Sequence, residues 1–233
     1  MKITYKDKTI EIQEPQKVID VFKDVCNEHI IACICNNQIQ SLNHILKEDT
    51  NIKFIDISDK DGLRIYIRGL SYIMAKAFSE VYPKALLTVD YQLSNSMFFE
   101  IDNMKVTDEM LEAVSNRMNE IVQEDLPITK VIMTKEEADE FYEKNKTLKG
   151  ILQKDIKERD HVTLYYCEDY YNYFYGVMPL STGIIDIYEL LEYDGRFLVR
   201  YPSRKNPNKL EEYKENKIKI EKEQQYLKSQ LNE

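Results

Sequence analysis

Very few side chains in this sequence could carry acid–base, nucleophilic or metal chemistry. There are three histidines, His29, His44 and His161, and four cysteines, Cys26, Cys33, Cys35 and Cys167. No histidine stands at i, i+4 from another, so no helix face can present two imidazoles together. Cys33 and Cys35 form a C-x-C in an apolar run, where strand alternation sends both thiols to one face. A metal would need two more ligands, and only His29 and His44 are near in sequence. Small buried hydrophobes are the expected role of these thiols. Glu136, Glu137, Asp139 and Glu140 fall in the first turns of a helix, where they complement its dipole rather than form a catalytic pair. The run Leu164–Tyr175 holds six of the seventeen tyrosines. Aromatic side chains on an open sheet can stack bases, but Glu168 and Asp169 interrupt the run where Lys or Arg would be wanted. Tyrosine also favours strands, so hairpin and core packing is the expected role. Ser181-Thr182-Gly183 could present hydroxyls and backbone amides to a ligand, or simply turn the chain between two strands. The glycines at 62, 69, 150, 176, 183 and 195 nowhere form G-x-x-x-x-G-K-[ST], so no phosphate loop of that kind exists here.

These residues need elements to position them. Residues 2–5 and 9–12 alternate as paired strands around Lys6-Asp7-Lys8. Pro15 opens a predicted helix with Val18, Val21, Phe22 and Val25 on one face. Strands at 30–35, 38–40 and 51–57 complete a β-grasp-like unit with its helix on a mixed sheet. Ser58-Asp59-Lys60-Asp61-Gly62 punctuates the chain. Beyond it, 63–82 reads as a helix stopped by Pro83, and 86–93 with 97–101 as a strand pair. Thr107 is a helix N-cap before the stripe Met110, Leu111, Val114, Met118, Ile121 and Val122. A strand spans 126–133, and Thr134 with Glu137 makes a capping box for a helix carrying Ala138, Phe141 and Tyr142. A hairpin at 162–167 and 170–177 precedes strands at 184–191 and 196–201. The fold class is α+β: a β-grasp domain over 1–60, a second α+β domain with an antiparallel sheet over 61–202, and a charged helical tail over 203–233. In that tail, positions 210, 213, 217, 220, 224, 227 and 231 are spaced for a helical seam, but Lys217 and Gln224 interrupt it, so a solvated helix or linker is expected.

Composition narrows the class of function. At 233 residues and 43% hydrophobic, the chain can bury two modest cores. No apolar run approaches the twenty residues of a spanning helix, and the N-terminus reads at once as a strand, so a cytoplasmic location is expected. The net charge of −9 is concentrated before the mildly basic tail and argues against broad DNA binding, which draws its affinity from phosphate neutralisation. No membrane partner and no cofactor are expected.

The order of segments resembles the front of threonyl-tRNA synthetases. Residues 1–60 look like a TGS domain, carried by Ala32-Cys33-Ile34-Cys35-Asn36-Asn37-Gln38-Ile39. Residues 61–202 look like the second additional domain, which removes mischarged serine from tRNA. Tyr82-Pro83, Met97-Phe98-Phe99-Glu100-Ile101-Asp102 and Tyr188-Glu189-Leu190-Leu191 carry that likeness. Domains of this type hold an H-x-x-x-H pair on their first helix and a later C-x-x-x-H pair. The resemblance puts the first pair at Arg68 and Tyr72 and the second at Phe174 and Met178, none of which can bind zinc or act as a base near neutrality. Bacterial uridine kinase-like nucleoside kinases, which begin with the same two domains, are similar in their degraded pairs, in Pro179-Leu180-Ser181-Thr182-Gly183 and in Gly195–Pro202. That second resemblance implies a covalently linked P-loop kinase domain in the full-length protein, where ATP would bind. It also implies a non-catalytic segment here, whose altered pocket takes a small ligand or an RNA end through Arg68, Tyr72, Met178, Ser181, Thr182 and Gly183. The competing expectations are a hydrolytic editing domain with an unusual catalytic set and a pure assembly module.

Overall fold

Strands β1 (Lys2–Tyr5) and β2 (Lys8–Glu11) form the expected hairpin, with Lys6 taking the left-handed backbone at the turn (φ 52°). They belong to a computed structural model that describes residues 1–26, 29–93, 95–145 and 161–212. The architecture is mixed α+β, with mostly antiparallel sheets and few helices. After β3 (Gln16–Lys17) and α1 (Val18–Val21) come β4 (Ala32–Cys35), β5 (Gln38–Gln40), β6 (Ile45–Leu46) and β7 (Thr50–Ile55). The first sheet runs β2-β1-β7-β4-β5, parallel only between β1 and β7. Its core holds Ile3, Cys33, Cys35, Leu46 and an edge-to-face group of Tyr5, Phe22 and Phe54.

The helix predicted from Pro15 is corrected to a single turn. Gln16 and Lys17 pair with Leu46 and Ile45 instead, a two-residue ladder that the sequence did not announce. Lys17 stays extended at the helix start without a side-chain cap. The β-branched Val18, Ile19 and Val21 lose rotamer freedom in a longer helix, so nothing carries it past Phe22.

The second half is organised by α2 (Lys60–Val81), followed by β8 (Leu87–Leu93), β9 (Ser96–Ile101), α3 (Asp108–Gln123), β10 (Thr129–Thr134), α4 (Lys135–Asn145), β11 (His161–Cys167), β12 (Tyr170–Tyr173), β13 (Glu189–Tyr193) and β14 (Arg196–Arg200). One sheet runs β13-β14-β9-β8 and the other β10-β11-β12, both antiparallel. Two helix starts match their sequence signals. Thr107 accepts from the Met110 amide at 3.2 Å. Thr134 and Glu137 bond reciprocally, at 2.8 and 3.2 Å. Ala138 is buried, whereas the side chains of Phe141 and Tyr142 lie outside the described residues. Residues 203–212 run as turns held by a Ser203–Asn206 bridge, and the rest of the predicted helical tail also lies outside them.

Helix α2 is buried on two sides. Tyr66, Ile73, Ala77 and Phe78 enter the main core with α3 and the four-stranded sheet, and Ala32 and Ile55 of the first sheet, with Ile31 just before β4, join that cluster. Gly69 sits mid-helix despite its cost there, because a Cβ would lie 2.6 Å from Pro179 Cγ and 2.8 Å from Ile185 Cδ1. The opposite face of α2 meets the three-stranded sheet, and the candidate site lies there. No helix among the described residues is long and apolar enough to cross a membrane.

Candidate functional site

Arg68, Tyr72 and Lys76 are spaced i, i+4, i+8 on α2, so they stack along one face. Each meets the β11–β12 hairpin or the segment after it. Arg68 Nη1 donates to the Val177 carbonyl at 2.6 Å. Its guanidinium lies 3.2 Å from where a Cβ on Gly176 would stand, and Gly176 has φ +86°. No carboxylate among the described residues pairs with Arg68, and burial draws its pKa below the ordinary arginine value. Tyr72 is 0% exposed. Its hydroxyl donates to the Tyr170 carbonyl at 2.9 Å, with the Tyr165 carbonyl at 3.3 Å. Its ring meets Tyr170 and Phe174 edge to face at 5.2 and 5.8 Å, and Met178 belongs to the same cluster with Ile128 and Cys167. The structure therefore brings together Tyr72, Phe174 and Met178, with Arg68 one turn away. Tyr72 and Met178 are both buried there, with Phe174 packed against them.

Ser181, Thr182 and Gly183 are elsewhere, against the end of α3. Thr182 is fully buried; its hydroxyl donates to the Ile121 carbonyl at 2.6 Å and accepts from the Leu126 amide at 2.9 Å. The Gly183 amide donates to Asp125 Oδ1 at 3.0 Å. Both groups are thus spent on holding the chain, while Ser181 and Gly183 line a cleft of about 410 Å³ facing Cys26 and Leu42.

Lys76 was not among the residues singled out in the sequence. It is 0% exposed, with Nζ 2.7 Å from Glu80 Oε1, 3.2 Å from Glu168 Oε2 and 3.9 Å from Asp169 Oδ1. Arg117 pairs with the other oxygen of Glu80. Burial alone would lower the Lys76 pKa, but Glu80 and Glu168 outweigh it and hold it above the ordinary value. Burial alone would raise Glu80, but Lys76 and Arg117 outweigh it and hold the carboxyl below the ordinary range. A carboxyl lowered by folding adds stability above its unfolded value and loses it as pH falls through the folded one; a raised lysine does so below its unfolded value and loses it as pH rises. Glu80→Gln is therefore expected to lower the thermal midpoint at pH 7 and to flatten its decline below about pH 4, near the ordinary glutamate value. Acid limbs that run parallel in the two proteins would show that the pair adds nothing.

The thiols are packing groups. Burial pushes Cys26 and Cys167 up to about 11, too high for a nucleophile near neutrality. Cys33 and Cys35 share a face as alternation predicts, with sulfurs 3.6 Å apart. Among the described residues no group of three or more His, Cys, Asp or Glu could hold a metal ion.

The second recess is open. A groove of about 550 Å³ lies between the turn after β5 and the β10–β11 sheet face, with the Tyr173–Met178 segment as its far wall. Phe174 and Met178 are part of that wall, and Val177, which accepts from Arg68, stands between them.

No protein-family model matches the chain. It is 27% identical over 203 residues to the threonine–tRNA ligase of Clostridium kluyveri, a match covering 84% of this chain and 32% of that enzyme. The corresponding enzyme of Chlamydia caviae is 26% identical over 208 residues, covering 88% and 33%. That of Thermotoga neapolitana is 27% identical over 201 residues, covering 84% and 31%. The chain thus has a distant similarity, over most of its length, to the N-terminal region of threonyl-tRNA synthetases, and it spans about a third of the length of these relatives.

Proposed function

We propose that this chain is a non-hydrolytic counterpart of the β-grasp and editing domains of threonyl-tRNA synthetase, serving as the accessory N-terminal region of a nucleoside kinase. The observation that carries the first part is the state of Tyr72. A fully buried ring, bonded through its hydroxyl and wedged against Phe174 and Tyr170, stands where the resemblance puts an imidazole. None of Arg68, Tyr72, Phe174 and Met178 can activate a water near neutral pH.

Arg68 is what the altered pocket retains for recognition. A guanidinium carries five donors, one of which is used on Val177, so its charge is available to an anionic small ligand or RNA end. Attachment to a P-loop kinase domain is supported by the Pro179–Gly183 and Gly195–Pro202 segments, and phosphoryl transfer would belong to that domain. The competing reading, an editing hydrolase with a different catalytic set, is separated by one assay. Seryl-tRNA incubated with the chain is expected to lose its ester at the spontaneous rate, with or without added zinc. Acceleration of ten-fold or more (about 1.4 kcal/mol of barrier) that disappears with chelator would overturn the non-hydrolytic reading.

A further inference from the structure

Strand β10 is an edge of the three-stranded sheet, with β11 on one side and no strand on the other among the described residues. Backbone alternation shows which of its groups face outward. The Ile128 amide donates to the Leu180 carbonyl at 2.8 Å and the Thr134 amide to Glu137 Oε2 at 2.8 Å, so neither is spent on β11. The register from Thr129 to Thr134 runs without a bulge, and along a strand the polar groups of alternate residues point to the same side. Lys130 and Ile132 therefore turn their amides and carbonyls away from β11, whereas Thr129, Val131 and Met133 hold the ladder. Beside Leu126–Ile128 the chain around Ser181 already covers this edge. From Lys130 to Thr134 no described residue pairs with it. Natural edges are blunted by charge or proline. Here Lys130 is the one charged residue of the strand, and Ile132, in the middle of the open stretch, is 61% exposed.

We infer that β10 pairs antiparallel with β10 of a second copy of this chain, about a twofold axis at Ile132, joining the two three-stranded sheets into one. A symmetric contact requires a surface that complements itself, and this register supplies one. The two Ile132 residues stand opposite each other as a hydrogen-bonded pair and exchange both N–H···O bonds, using the groups the strand leaves open. Lys130 comes opposite Thr134 of the second copy rather than its own counterpart, so no like charges face each other. The acidic first turn of α4, with Glu136 and Glu137, follows directly after Thr134 and brings the opposite charge to that end. On the other face of the sheet, Val131 comes opposite Met133 of the second copy. In each chain both pack against Ala138, Val162 and Leu164, so the pairing merges two small apolar clusters. The open stretch is short, which fits a reversible dimer rather than an obligate one. Nothing in this contact depends on what the altered pocket binds.

Sedimentation equilibrium of the 233-residue chain from micromolar to millimolar concentration tests it, together with amide hydrogen exchange read residue by residue. The average mass is expected to rise toward twice that of the chain. Over the same range the Lys130 and Ile132 amides are expected to slow about ten-fold, while those of Val131 and Met133, bonded to β11, stay slow throughout. Ile132→Pro removes an outward donor and no bond to β11, a place where a strand tolerates proline. It is expected to abolish association and to leave the unfolding midpoint near that of the parent. Ile132→Lys sets like charges opposite each other and is expected to weaken association about ten-fold or more, which keeps the test intact if the proline variant fails to fold. Association that both variants leave unchanged overturns the inference, because another surface then carries it. Lys130 and Ile132 amides already slow in the dilute monomer overturn it too, since the chain would then cover its own edge. A chain that stays monomeric at millimolar concentration, with both amides fast, overturns it and leaves the edge to a strand from a different protein.

Discussion

Tyr72→Ala is expected to destabilise the chain by about 3–5 kcal/mol, the cost of deleting a fully buried aromatic ring whose neighbours relax only partly. The ring is enclosed by Tyr170, Phe174 and Met178, and its hydroxyl satisfies the Tyr170 carbonyl. Two contributions can be separated. Tyr72→Phe keeps the ring and leaves that carbonyl without its donor, at an expected cost of about 1–2 kcal/mol. The remainder in Tyr72→Ala belongs to packing and to the cavity. Urea unfolding of the three proteins measures both. The cavity also has a chemical signature. An apolar void of this kind accepts a small aromatic ligand, so millimolar phenol should raise the midpoint of Tyr72→Ala and leave the parent protein unmoved. A loss below about 1 kcal/mol, with no phenol effect, would mean that Tyr72 lies against the hairpin without filling a pocket.

What the sequence disclosed follows a physical divide. Features set by neighbours along the chain were legible. The Thr107 cap, the Thr134–Glu137 capping box, the hairpin of β1 and β2 and the shared face of Cys33 and Cys35 depend on residues at most nine positions apart. Local signals failed where distant backbone competed for the same residues. Gln16 and Lys17 carried a helix-start pattern but are claimed by Ile45 and Leu46, whose two-residue strand has no periodicity to detect. Lys76 shows the same limit for charge. A lysine on an amphipathic helix reads as solvated; Glu80 at i+4 was a visible partner, but Glu168, 92 residues later, was not. The stripe of Arg68, Tyr72 and Lys76 could still have flagged it, since three large side chains at i, i+4 and i+8 share whatever that face meets. The Ser181–Gly183 turn was visible, but whether its groups face a ligand or the fold depended on Ile121, Asp125 and Leu126, brought there by tertiary structure. The groove was invisible for that reason too. Its walls come from stretches around residues 40, 130, 162 and 175, none of which is unusual alone.

Gly62→Ala poses a sharper conflict between local and tertiary effects, and it is expected to be the most damaging single-methyl change in the chain. Helix propensity alone favours alanine over glycine by about 1 kcal/mol inside a helix, and Gly62 lies in the first turn of α2. The tertiary effect has the opposite sign. A Cβ at this position would stand 1.7 Å from the Asp56 carbonyl oxygen and 2.5 Å from its carbon. The obstacle is backbone, so no rotamer change relieves it. Asp56 is itself tied down: its carboxylate accepts from the Ser58 amide at 2.7 Å and its carbonyl from the Asp59 amide at 3.1 Å. To admit the methyl, α2 must move away from the chain leaving β7, which pulls Ile65 and Tyr66 from the core they share with Ile31 and Ile55. A loss above about 4 kcal/mol is expected, in the range reached only by core disruption. Gly195→Ala is the matched control. Gly195 has φ +77° in the turn between β13 and β14, and a Cβ there meets nothing within 4 Å. Its cost is the left-handed backbone alone, about 1–2 kcal/mol. Denaturant unfolding of the two variants side by side decides between crowding and conformation. If Gly62→Ala cost no more than Gly195→Ala, α2 would have to pivot freely on β7. The helix that aligns Arg68, Tyr72 and Lys76 against the hairpin would then not be fixed by the first sheet at all.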